Sequence, residues 1–210
     1  MKKPVMQSID ALINSRDDDC NMESILTIDE IFSILASHML QGIMLHEQFM
    51  NVYLFLGFYG YSKCHEYHYL SETDDYILLN QYKILHFDKL ISLNPLINLN
   101  IIPESWLYST SQGVDKSTYM QALEAVLNTW INWEEETKNL YSNMYEHMLD
   151  IHEIAAAEFI YDYIRGVDKE LLYAKHELLY KNTIGFDLIS MVEEQDRYKD
   201  KFSEKIRRLR

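Results

Sequence analysis

Apolar residues recur at three- and four-residue intervals along most of this chain, the signature of amphipathic helices. From Ile31, the series Ile34, Leu35, His38, Met39, Gly42, Ile43, His46, Met50, Tyr53, Leu54 and Gly57 stays on one side of a helix. Upstream, Thr27-Ile28-Asp29-Glu30 places a hydroxyl three residues before a Glu, a capping box. The pattern predicts a first long helix from about Ile28 to about Lys63, with Gly57 and Gly60 marking a bend or a close neighbour. Ser71-Glu72-Thr73-Asp74-Asp75 reads as a second helix start, and Tyr76, Leu79, Tyr82, Lys83, His86 and Phe87 carry that helix to about Ser92. A third helix follows Asp115, with Leu123, Val126, Trp130, Trp133, Leu140 and Met144 on its apolar face. A fourth runs from about Glu153 to about Tyr180 through Ala156, Phe159, Ile160, Val167, Leu171 and Ala174. Phe186 to Arg210 forms a fifth, polar except for Leu188, Ile189, Val192, Tyr198, Phe202 and Ile206.

The joins set the topology. Short joins after the first and third helices make two antiparallel hairpins. The connection from Leu93 to Asp115 is long enough to cross the length of a bundle, which makes the second and third helices parallel. The expected fold is all-α: an N-terminal arm (1–26), a four-helix bundle with one long crossover (27–182), and a C-terminal helix (183–210). Only 6 Gly and 3 Pro are present, too few for the turns of an all-β sandwich or barrel. No Gly-rich strand-to-helix turn supports a doubly wound α/β sheet. Tyr53, Trp130 and Phe159 are expected in the core, and Asp17 to Asp19 at the surface.

Charge narrows the partners. The net charge is -14, the wrong sign for neutralising phosphates, so direct nucleic-acid binding is not expected. The end of the chain reverses sign, with six basic and two acidic residues from Lys199 to Arg210. The two cysteines, Cys20 and Cys64, make no disulfide framework. No signal peptide and no run of 18 apolar residues is read, so the expected setting is cytoplasmic, with no membrane.

Several segments resemble the ferritin-like superfamily. His46-Glu47-Gln48-Phe49-Met50-Asn51-Val52-Tyr53 is similar to the first-helix segment that carries a ligand Glu and a Tyr seven residues later. Leu85-His86-Phe87-Asp88 is similar to the second-helix segment ending in a ligand His, and Trp133-Glu134-Glu135-Glu136 to the third-helix Glu region. Ala157-Glu158-Phe159-Ile160 through Asp168-Lys169-Glu170 is similar to the fourth helix. The resemblance implies a bundle able to hold iron or another divalent metal through Glu47, His86, Glu135, Glu158 and Asp168. The departures weigh against an intact di-iron site. None of the eight His has a Glu three residues before it, so Glu-x-x-His is missing. The second-helix position reads Lys83-x-x-His86, with an ammonium in place of the bridging carboxylate, and a Lys83–Glu135 ion pair is a plausible replacement for the metal. Anchoring on Tyr53 puts His46, not Glu47, at the first-helix ligand position.

The leading expectation is therefore a ferritin-like bundle that works by macromolecular binding or self-association as a homo-oligomer, with no catalytic residues and no cofactor. One alternative is a di-metal protein or oxidase using the five residues above; another is an acidic mimic of DNA charge. Cys64, His68 and Glu72 share one face at i, i+4 and i+8 if a helix runs through them, a candidate ligand set for zinc set against a solvated polar helix end. His46 and His86 are expected on the inward stripes as hydrogen-bonded core residues. The apolar stripe of the fifth helix must fold back on the bundle or dock on another chain; docking on a second copy is favoured, because the basic end complements the acidic remainder.

Overall fold

The computed structural model describes residues 26–93, 116–185 and 187–209. Residues 17–19 and almost all of the long connection lie outside these. Among the described residues every regular element is a helix: α1 (Ile28–Phe55), α2 (Tyr59–Phe87), α3 (Lys116–Asp150), α4 (Ile154–Thr183) and α5 (Leu188–Leu209).

The capping box at Thr27 and Glu30 forms as the sequence predicts. The end of α1 does not. The helix stops at Phe55 because Gly57 takes a left-handed conformation (φ +81°). The Gly57 N–H bonds to Leu54 O and the Phe58 N–H to Tyr53 O, the paired bonds of a Schellman motif. α2 then starts at Tyr59 and runs straight through Ser71–Asp75, where the sequence suggested a helix start. Thr73 does not cap; its hydroxyl donates back to Tyr69 O at 2.7 Å. This earlier turn moves residues 59–70 from the end of one helix into the body of the next.

The cross-bundle contacts give the helix directions. His38 meets Thr137 while His46 meets Glu134, so α1 and α3 run antiparallel. Tyr82 stacks on Phe159 and His68 pairs with Glu170, so α2 and α4 are antiparallel too. With a short join after α1 and after α3, α2 and α3 are parallel, the arrangement a single long crossover requires.

The core has two apolar halves. One holds Ile31, Phe32, Leu35, Leu79, Met144 and Ile160; the other holds Phe49, Tyr53, Leu123, Trp130, Ala174 and Phe202. A polar layer lies between them, with His38, His46, Glu134 and Thr137 all buried. Tyr53 and Trp130 are buried as expected, while Phe159 is half-buried at the edge of the first half. α1 is long and apolar enough to cross a membrane by composition alone, but 56% of that window is packed inside the bundle, as in a core helix.

α5 folds back rather than waiting for a second copy. Met191, Tyr198 and Phe202 are buried in the half of the core that includes Tyr61 and Cys64, and Ile206 is buried as well. Tyr198, Phe202 and Ile206 are buried as expected, but at the start of α5 Met191 is buried instead, and Ile189 and Val192 are exposed. Gly60 makes the close approach possible: a Cβ there would lie 1.9 Å from the backbone oxygen of Gln195. A buried polar knot fixes the arm, with Lys181 bonded to Glu194 and to the Tyr61 hydroxyl, and Tyr198 donating to Glu177.

Candidate metal centre

The polar layer is built because each bundle helix substitutes a polar residue into its own inward stripe. On α1, His46 follows His38, Met39 and Gly42. On α2, Glu72 follows Cys64 and His68 at intervals of four. On α3, Glu134 lies four residues after Trp130. On α4, Glu170 lies three after Val167 and four before Ala174. Side chains from His46, Glu72, Glu134 and Glu170 converge so that one donor atom from each lies within 4.8 Å of the others.

The spacing is that of donors around an ion. His46 Nε2 is 3.5 Å from Glu72 Oε1 and 3.9 Å from Glu134 Oε1. These separations are too long for good hydrogen bonds, and His46 Nε2 and Glu72 Oε2 have no hydrogen-bond partner among the described residues. Two donors that each lie about 2.1 Å from a shared ion stand roughly 3–4 Å apart. Gly42 completes the cradle: a Cβ there would meet the Glu72 carboxylate oxygens at 2.7 and 2.9 Å.

A second layer of contacts holds these donors. His46 Nδ1 lies 3.0 Å from His65 Nδ1, which fixes the imidazole with Nε2 toward the carboxylates. Trp130 Nε1 donates to Glu134 Oε1 at 3.0 Å. His68 Nδ1 is 3.1 Å from Glu170 Oε2. Burial, followed by the charges of Glu170 and Glu72, pushes the Glu134 carboxyl well above its ordinary range. Burial likewise raises Glu72. Burial opposes charge on both His68 and Glu170, but their mutual attraction wins, raising the imidazole well above its usual value and lowering the carboxyl. Burial and the neighbouring imidazoles keep His65 well below the usual range. Three carboxylates crowded into a dry layer call for positive charge, and a divalent cation supplies it.

None of the five residues named from the family resemblance joins this cluster. Glu47, His86, Glu135, Glu158 and Asp168 are all exposed. Glu47 and Glu135 each sit one residue from a cluster member, and one residue is about 100° of helical turn. Glu135 pairs with Lys175 and Asp168 with Lys138, both at 2.6 Å on the surface. His86 is not a core histidine; it stacks on Tyr82 near the end of α2. The expected Lys83–Glu135 pair is absent. Lys83 is buried far along α2, bonded to Asp29 at 2.5 Å and lying over the Phe32 and Phe87 rings. It therefore occupies no bridging position. His46 is buried on the inward stripe of α1, as expected. Cys64, His68 and Glu72 do share a face, but they divide the work: Glu72 joins the quartet, His68 supports Glu170, and Cys64 is buried beneath. The sequence reading settles on Glu135 among Glu134–Glu136 and on Asp168 rather than Glu170, although Glu134 and Glu170 both extend an apolar stripe at helical spacing.

Two solved structures superpose on most of this chain. One is a ferritin of Archaeoglobus fulgidus brought to a closed form by site-directed mutagenesis, with a TM-score of 0.67 and 11% identity over 83% of this chain and 96% of that one. The other is the open-pore ferritin of the same hyperthermophilic archaeon, with a TM-score of 0.66 and 11% identity over 81% and 93%. The chain has a ferritin-like fold. No protein-family model and no curated protein matches the sequence. The i, i+3 pair that packs against His46 is His65-x-x-His68 rather than Lys83-x-x-His86. The carboxylates come instead from Glu72, one turn further along α2, and from α3 and α4.

Proposed function

We propose that this protein binds one divalent transition-metal ion in the bundle core through His46, Glu72, Glu134 and Glu170. The convergence of one donor from each of four helices on a single point carries this reading. The donor set, one imidazole and three carboxylates, suits iron(II), manganese(II) or zinc rather than a soft ion such as copper(I). One divalent ion together with the His68 imidazolium balances three carboxylate charges; a second ion would leave an excess of positive charge in the core. His65 and His68 orient His46 and Glu170, and Trp130 holds Glu134. A bound ion would supply Lewis acidity, and one-electron chemistry if it is iron or manganese.

The test is metal analysis of protein purified without chelator, joined to a cobalt(II) titration followed by visible absorption. One equivalent with a saturable d–d band is expected, lost in His46→Ala and Glu134→Gln variants that keep the wild-type helix content. A folded protein that takes up no cobalt overturns the reading.

Self-association is a second reading, supported by a different observation. Ile77, Leu78, Ile84 and Leu85 form two heptad-spaced pairs on the outer face of α2, each at least 44% exposed. A second copy of the chain is the proposed partner. Sedimentation should show a concentration-dependent mass that Ile84→Lys/Leu85→Lys abolishes; a monomer at all concentrations refutes it.

A further inference from the structure

We propose that the cleft beside the quartet, between α2 and α4, binds a small primary amine carried on a flat apolar body. The cavity has a volume of about 330 Å³ and reaches the surface beside Asp162, which is exposed. This lies at the small end of ligand sites and suits a molecule of one ring with a short chain.

The lining is one-sided in charge. Glu72, Asp75, Glu134, Asp162 and Glu170 all face the cavity, and no Lys or Arg is among its described lining residues. In a partly dry site this field repels carboxylates and phosphates and attracts a cation. Burial, then the nearby Glu170 and Glu72, raises Asp75 to about 6, which leaves it mostly ionised at neutral pH. The quartet can be filled by a metal, but Asp75 lies outside it and keeps its charge for a ligand, whereas Asp162 at the mouth is paired with Arg165.

The hydrogen-bonding demand has the same sense. The Thr137 hydroxyl donates its one proton to Trp133 O at 2.8 Å. It must therefore accept from His38 Nε2, 2.7 Å away. Burial holds the His38 pKa down to about 3, so the ring is neutral and its Nδ1 is a bare lone pair. That Nδ1 is buried with no partner among the described residues, and His38 lines the cavity. The bare His38 Nδ1 and the Asp75 carboxylate thus ask for a donor, and an ammonium offers three N–H groups and a positive charge. Trp133, Tyr141 and Tyr163 give the apolar body and its cation aromatic faces. Gly166 lines the cavity with no atom within 4 Å of its ideal Cβ, so the opening is left clear.

The inference does not depend on the metal reading, and the experiment keeps the two apart. Chelator-treated and manganese-loaded protein are each titrated calorimetrically with 2-phenylethylamine, with 2-phenylethanol and with phenylacetate. The amine should saturate one site in both forms, at least tenfold tighter than the alcohol, and phenylacetate should not bind. Asp75→Asn should weaken the amine at least fivefold and leave the alcohol unchanged. Gly166→Leu should abolish both, with Asp75→Asn as the independent check if the leucine variant does not fold. Equal affinity for amine and alcohol, or an amine affinity unaltered by Asp75→Asn, overturns the proposal. Binding confined to the chelator-treated form also overturns it, since the amine would then occupy the quartet. Amine binding in a protein that takes up no manganese would defeat the metal reading alone.

Discussion

Gly42→Ala adds a single methyl group to α1 and separates metal binding from folding. Its Cβ would lie 2.7 and 2.9 Å from the Glu72 carboxylate oxygens, whereas ordinary contact begins near 3.4 Å. The carboxylate must retreat by about 0.5–0.7 Å. Glu72 is the flexible end of a side chain that is 19% exposed, so it can swing outward without moving the backbone. Alanine in the helix interior favours folding by about 0.5–1 kcal/mol over glycine. The metal-free variant should therefore melt at or near the wild-type temperature. Metal binding behaves differently, because disturbing the support of a ligand weakens a site by about 10–100-fold. At free manganese(II) 100 times the wild-type Kd, the ion adds about 2.7 kcal/mol of stability, a rise in Tm of about 5–11 °C for a chain of this size. In the variant the same concentration is only about 1–10 times Kd. The gain falls to about 0.4–1.4 kcal/mol, or about 1–6 °C. Differential scanning fluorimetry over a manganese titration measures both quantities. A full wild-type shift in Gly42→Ala would show that Glu72 is not a ligand and would refute the assigned geometry.

Other expectations follow from the same contacts. Trp130→Ala should lower the unfolding free energy in urea by ~3–5 kcal/mol, because the ring is fully buried and its loss also strips the donor from Glu134; a cost below ~1 kcal/mol would contradict the packing. Lys181→Ala leaves Glu177 and Glu194 facing each other in a buried knot and should cost ~3–5 kcal/mol, read by chemical denaturation. Removing residues 187–210 should lower the Tm without changing the number of chains per particle by light scattering, because α5 covers its own bundle; an unchanged Tm would make the arm a free tail. His38 stays neutral in the fold down to about pH 3 but takes a proton near 6.5 when unfolded. The fold then binds fewer protons between those values, so His38 contributes a loss of stability as pH falls, up to about 1.4 kcal/mol per unit. His38→Gln removes that slope, and its stability difference from wild type should shrink by about 2–3 kcal/mol between pH 6.5 and 4.5; a constant difference would mean that the ring is solvated.

The sequence determined the helices, the capping box at Thr27, the hairpin-crossover-hairpin order and the burial of Tyr53 and Trp130, because apolar periodicity is a local property read one helix at a time. It also put His46 on the inward stripe of α1, and Cys64, His68 and Glu72 on one face. It misjudged where α1 ends, since Gly57 in a Schellman turn and a helix start at Ser71 look equally good until the packing of α2 decides between them. That choice decided the site: with the turn at Gly57, Glu72 lies opposite His46, whereas the later turn makes Lys83 and His86 the candidates. The ligands on α3 and α4 were beyond local reading for the same reason. Three consecutive glutamates, Glu134 to Glu136, differ by about 100° of helical phase each, and only the position of the other three helices selects Glu134. The fold of α5 onto Gly60 was likewise a tertiary decision, because an amphipathic stripe states that it must be covered and not by what.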